Sequence, residues 1–167
     1  IINPVTEVFG KEGSYTEFET VQIKGVDSTR RETYATLDAG AKIVIKEKIM
    51  THDKQFAETI FKVDMNGDGA SSTVSSRSVA KGSSKQVFKS VINGTAQCAG
   101  HSECDAIIMD EAIVSAIPEI TANHIDAELI HEAAIGKIAG DQIIKLRTLG
   151  LTEEEAIKTL SIVKQFM

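Results

Sequence analysis

The residues best suited to chemistry lie between Cys98 and Glu132. The stretch opens with Gln97-Cys98-Ala99-Gly100-His101-Ser102-Glu103-Cys104-Asp105 and closes with Leu129-Ile130-His131-Glu132-Ala133. It holds both cysteines of the chain and three of its four histidines. Thiolate, imidazole and carboxylate are the side chains that bind transition metals and iron–sulfur clusters. Cys98, His101 and Cys104 are spaced C-x-x-H-x-x-C. A structural zinc takes four ligands, usually in two short pairs, so this motif is complete only if the fold returns His131 or Glu132 to it. A free cysteine is more often a small buried apolar group than a ligand. Here Glu103, Asp105 and His101 make the surroundings unusually polar for a buried thiol.

Other motifs carry less. Asp64-Met65-Asn66-Gly67-Asp68-Gly69 imitates the start of a calcium loop, but its twelfth position is Ser75 where a bidentate Glu is required, and strand-like sequence flanks it. It reads as a β-turn. His52 and His124 sit in turn-like sequence and read as solvated. There is no Walker sequence, nucleophile elbow or paired-carboxylate signature, so a self-contained enzyme is not expected.

The elements that must position these residues come in two kinds. From Glu17 to Met109 the chain offers β-branched runs of strand length: Phe18 to Ile23, Arg31 to Leu37, Ile43 to Ile45, Ile60 to Val63, Ser71 to Val79, Val87 to Ile92 and Ala106 to Met109. Gly, Asn and Asp turns separate them. Recurrent Asn-Gly and Asp-Gly turns without clean hairpin alternation, and small residues at run edges, favour stacked β-coils; a β-sandwich is the alternative. Beyond Pro118 the period changes. Thr152-Glu153-Glu154-Glu155 is a capping box opening a helix with Ile157, Leu160, Val163 and Phe166 at helical spacing. Gly150 ends a preceding helix over Asp141 to Leu149. Asp126 to Ile135 fits either a helix or a strand.

The chain has 167 residues, enough for one domain with a real core, a net charge of −6 and no tryptophan. It has no clustered Lys/Arg run, which argues against a nucleic-acid partner. No segment is apolar enough for membrane insertion. Two cysteines make no disulfide scaffold, and the start Ile1-Ile2-Asn3-Pro4 lacks a signal-peptide pattern, so both thiols are expected free in the cytoplasm. The first residue is not Met, as in a processed chain or a piece of a longer one.

Several separated blocks resemble one known family. They are Ser76-Arg77-Ser78-Val79-Ala80-Lys81-Gly82, Glu103-Cys104-Asp105-Ala106-Ile107-Ile108, Ile117-Pro118, His131-Glu132-Ala133-Ala134-Ile135-Gly136-Lys137-Ile138, Asp141-Gln142-Ile143-Ile144 and Arg147-Thr148-Leu149-Gly150-Leu151-Thr152-Glu153-Glu154-Glu155-Ala156. In order and spacing they resemble the C-terminal half of the SufB/SufD proteins of iron–sulfur cluster assembly. The resemblance implies a mainly β fold: a right-handed parallel β-helix, residues 1–125, followed by a connecting strand and small α-helical segment, residues 126–167. It implies that Asp126 to Ile135 is extended. It further implies pairing through the β-helix with itself or a SufB/SufD-like subunit, and binding of a SufC-like ABC ATPase through C-terminal helices.

The implied function is a scaffold on which a transient iron–sulfur cluster is built at a subunit interface. Carried over residue by residue, Cys104 matches the SufB-type cysteine that accepts sulfur and holds nascent cluster. His131 matches a histidine of both member types, and Glu132 the SufB-type acidic neighbour. Cys98 and His101 lie outside the family pattern and are secondary candidates. The alternative from the residues alone is a structural zinc or interaction module built on Cys98, His101 and Cys104. Relative to the family, the N-terminal region is absent and the chain ends before the last helix, which weakens the expectation of ATPase binding.

Overall fold

The computed structural model describes residues 1–23, 25–137, 143, 147–148 and 150–158. Ten strands follow in chain order: β1 (Val5–Gly10), β2 (Tyr15–Gln22), β3 (Ser28–Leu37), β4 (Lys42–Thr51), β5 (Phe56–Met65), β6 (Ala70–Ala80), β7 (Lys85–Gly94), β8 (Cys98–Ile108), β9 (Ile113–Ala122) and β10 (Glu128–Lys137). Odd strands form one sheet, β1-β3-β5-β7-β9, and even strands the other, β2-β4-β6-β8-β10. Every pairing is parallel and in long register. Tyr15 faces Lys42, Lys42 faces Ser71, Ala70 faces Cys98 and Ala99 faces Glu128, so each coil takes 27–29 residues. The chain is a parallel β-solenoid of about five coils, two strands to a coil, with a short helix near its C-terminus.

The corners explain how so little chain turns so often. Gly25, Asp53, Gly82 and Asp110 all have positive φ and occupy one corner in successive coils. Glycine adopts this conformation without penalty, and Asp is among the few other residues that tolerate it. At the opposite corner, 66–69, the calcium-like sequence is a plain turn: Gly69 N–H donates to the Gln97 carbonyl and Gly40 N–H to the Asp68 carbonyl, tying coil to coil. Gly67 lies so close to the coil before it that a Cβ there would sit 2.0 Å from the Ala39 nitrogen.

Inside, alternate residues of both sheets meet. Ile43, Ile45, Phe61, Val63, Val74, Phe88 and Ile92 form the apolar core, with the Phe61 and Phe88 rings 5.9 Å apart. The interior also holds buried hydroxyls. Ser102 Oγ donates to Ser90 Oγ across the core, and Thr51 and Ser84 pair likewise. Strand β6 turns Ser72, Ser76 and Ser78 inward; Ser76 Oγ donates to buried Glu47, whereas Ser72 Oγ is buried without a hydrogen-bond partner.

The segment expected to be extended on leaving the coils, 126–135, contributes β10, which lies in the second sheet against β8. Two strands lie where the sequence suggested none: β1, and β9 through Pro118. Proline is tolerated because β9 is an edge strand. At 153–158 the expected helix is present with its capping box. Thr152 N–H donates to Glu155 Oε2 (2.8 Å) and Glu155 N–H to Thr152 Oγ1 (3.2 Å). Ile143, Arg147 and Thr148 are helical, whereas Leu160, Val163 and Phe166 lie outside the described residues. Among the described residues no helix is long and apolar enough to cross a membrane.

Candidate functional site

Between Cys98 and Met109 the sequence places a strand run only at 106–109. Instead β8 begins at Cys98, and that changes what the motif can do. A strand rises about 3.3 Å per residue and alternates its faces, so Cys98 and Cys104 are about 20 Å apart along one strand. Both are buried and point inward, whereas His101 points out. The C-x-x-H-x-x-C centre of the alternative reading is therefore not formed: His101 lies on the other face, and the two thiols are six residues apart along one strand. Among the described residues no group of three or more His, Cys, Asp and Glu side chains is placed to hold a metal ion.

Register decides which residues the fold does bring together. His131 pairs with Ser102, Glu132 with Glu103 and Ala133 with Cys104. Cys104 and His131 thus lie inward on adjacent strands, two positions out of step, with Cα atoms about 8 Å apart by strand spacing and rise. They belong to the last two coils of the second sheet. Glu132 takes the outer face. There its Oε2 is 3.6 Å from His101 Nε2, and Arg77 Nη2 is 3.6 Å from Glu103 Oε1. The sequence-predicted trio Cys104, His131 and Glu132 is divided: thiol and imidazole inside, carboxylate outside with His101.

Environment sets the state of each group. Cys104 is 1% exposed. Burial, with smaller contributions from Glu47, Asp105 and Glu103, pushes its thiol up to about 12. Burial also pushes the Cys98 thiol up. His131 is shifted downward, first by burial and then by His101, which favours the neutral imidazole that ligates metals. Both of its ring nitrogens are shielded from solvent and have no hydrogen-bond partner. An unsatisfied imidazole in a folded chain has ligand capacity to spare.

Sequence reasoning missed what lies beneath Cys104. Register stacks Thr20, Glu47, Ser76, Cys104 and Ala133 in one inward column. Glu47 is buried and accepts hydrogen bonds from Thr59 Oγ1 (2.8 Å), Ser76 Oγ (2.8 Å) and Arg31 Nη1 (3.3 Å). Desolvation raises its pKa against the opposing pull of these partners. The signal was present: Ile43, Ile45, Glu47 and Ile49 alternate at period two, which puts Glu47 in line with three core isoleucines.

Residues 2–163 match the family model described as the SUF system FeS cluster assembly SufBD core domain. An iron–sulfur cluster assembly SufBD family protein of Archaeoglobus fulgidus is 28% identical over 167 residues, covering 99% of this chain and 45% of that protein. One from Methanocaldococcus jannaschii is 33% identical over 134 residues, 75% of this chain and 42% of its own. Another, from Methanothermobacter thermautotrophicus, is 37% identical over 97 residues, 57% of this chain and 24% of its own. The chain spans less than half the length of these relatives.

Proposed function

Because the chain belongs to the SufBD core-domain family of iron–sulfur cluster assembly, we propose that it is part of a scaffold, not an enzyme, on which a nascent cluster is built. The observation that carries this reading is the placement of Cys104 and His131 inward on neighbouring strands, with both His131 nitrogens unpartnered. Iron and sulfide are cargo here. Cys104 ligates the iron as a thiolate: the sulfur–iron bond forms as the thiol proton leaves to solvent, and the metal offsets the cost of deprotonating a buried group. His131 ligates through a neutral ring nitrogen. Glu132 and His101, exposed on the outer face, offer a first contact for incoming iron.

One chain supplies too few inward ligands for a whole cluster. The proposed site therefore lies between two subunits, the second being another copy or a SufB/SufD-like chain. An ABC-type ATPase would drive the rearrangement that exposes the buried thiol. Anaerobic reconstitution with iron and sulfide tests the ligand assignment. Wild type should develop the visible absorption of a cluster; Cys104→Ala and His131→Ala should lose most of it. Undiminished absorption in Cys104→Ala would overturn the assignment.

A further inference from the structure

A shielded imidazole normally finds a hydrogen-bond partner, yet both ring nitrogens of His131 are closed off from solvent and have none. A hydroxyl lies close by. Ser102 on β8 is the direct register partner of His131, and both side chains point into the solenoid. Neighbouring strands lie about 4.8 Å apart, so a serine hydroxyl and an imidazole at in-register inward positions are within reach of each other. Ser102 Oγ donates elsewhere, to Ser90 Oγ on the opposite sheet, at 2.8 Å.

A serine has one proton to give, and once Ser90 holds it none is left for the ring. Ser90 and Ser102 are each 1% exposed, so water does not compete for that bond. The other neighbours of the imidazole donate nothing. Leu129 and Ala133 occupy the inward positions on either side of it along β10. Pro118, one coil beyond Ser90 on the facing sheet, lacks an N–H. Cys104, diagonal to His131 across the strand pair, is the proposed co-ligand.

A neutral imidazole has one N–H and one lone-pair nitrogen, and the lone pair is what ligates a metal. A hydroxyl proton donated to that nitrogen would occupy the same site. We infer that Ser90 is a positioning residue for His131: by taking the Ser102 proton, it keeps the imidazole lone pair open for iron. The purpose of this arrangement rests on the proposed ligand role of His131; the arrangement itself is tested in the metal-free protein.

Nitrogen NMR of the imidazoles in the whole chain gives the first readout, with the His131 signals identified by their loss in His131→Ala. At neutral pH the wild-type lone-pair nitrogen should resonate at the position of an unbonded imidazole. Ser90→Ala should move it upfield, the direction of an accepted hydrogen bond, and the double variant Ser90→Ala/Ser102→Ala should bring it back. Anaerobic reconstitution gives the second readout. In Ser90→Ala the iron concentration for half-maximal cluster absorption should rise about fivefold, the net worth of one hydrogen bond. It should return to the wild-type value in the double variant, whereas plain damage to the core would grow from single to double. A hydrogen-bonded lone-pair nitrogen in wild type overturns the inference without any variant, even should Ser90→Ala fail to fold. An unmoved signal in folded Ser90→Ala overturns it too, as does a double variant no better than the single. If His131→Ala reconstitutes like wild type, the ligand reading fails by itself, and the NMR result still decides the hydrogen-bond arrangement.

Discussion

Glu47 sets two opposed effects against each other, and pH reveals which wins. Burial disfavours its charge; Arg31 and two hydroxyls favour it. Burial is the larger, so the folded chain holds the Glu47 proton more tightly than the unfolded chain, where the carboxyl titrates near 4.5. Between those two values the native state binds more protons, so stability falls as pH rises. The stabilisation is complete below the unfolded value and is lost as pH passes through the folded one. Within that window the folding equilibrium constant drops by up to about tenfold per pH unit. Glu47→Gln keeps the shape and removes the titration.

Urea unfolding of both proteins from about pH 4 to about pH 8 cancels the other carboxylates by subtraction. The wild-type stability relative to Gln should decline with rising pH and then level. A relative gain with rising pH would show that Arg31 outweighs burial and would refute the reasoning; no slope at all would refute it too. Glu47→Ala is a different perturbation. It strands a guanidinium and two buried hydroxyls, and should cost about 3–5 kcal/mol at neutral pH.

Two further predictions concern the frame that holds the site. Gly67→Ala would set a methyl 2.0 Å from the Ala39 nitrogen and 2.4 Å from the Ala39 Cα, backbone that cannot rotate away. It should destabilise by about 3 kcal/mol or more in urea unfolding, whereas Gly136→Ala, with nothing within 4 Å, should stay within about 0.5 kcal/mol. Thr152→Ala removes both arms of the cap that run through its hydroxyl. It should loosen the helix at 153–158 by about 1 kcal/mol, seen as faster amide exchange there with the β8 and β10 amides unchanged.

Much of the frame was legible along the chain. The β-branched runs at 31–37, 43–45, 60–63 and 87–92 all fall within strands, and Thr152 with Glu155 announced its helix, because both signals are local. Strand β8 was not legible in its first half. Gly100, Ser102 and Cys104 face inward, and small or hydroxylated residues there show no apolar alternation that marks a strand; the opposite sheet supplies partners such as Ser90. For the same reason the polar stretch of β6 gave no hint that Ser76 supports a buried carboxylate.

By its residues alone, the chain determined the coil-forming strands, the tight corners, the helix cap and, through resemblance, the identity of Cys104, His131 and Glu132 as the residues to watch. Only the tertiary structure decided how those three divide. Coil length sets which residues become neighbours, and strand alternation then sends Cys104 and His131 inward and Glu132 outward. A shift of one residue in that register would reverse every face. Whether a thiol meets a carboxylate below it, an alanine beyond it or open solvent therefore depends on stacking across 27–29 residues, a distance over which no local pattern in the sequence carries the information.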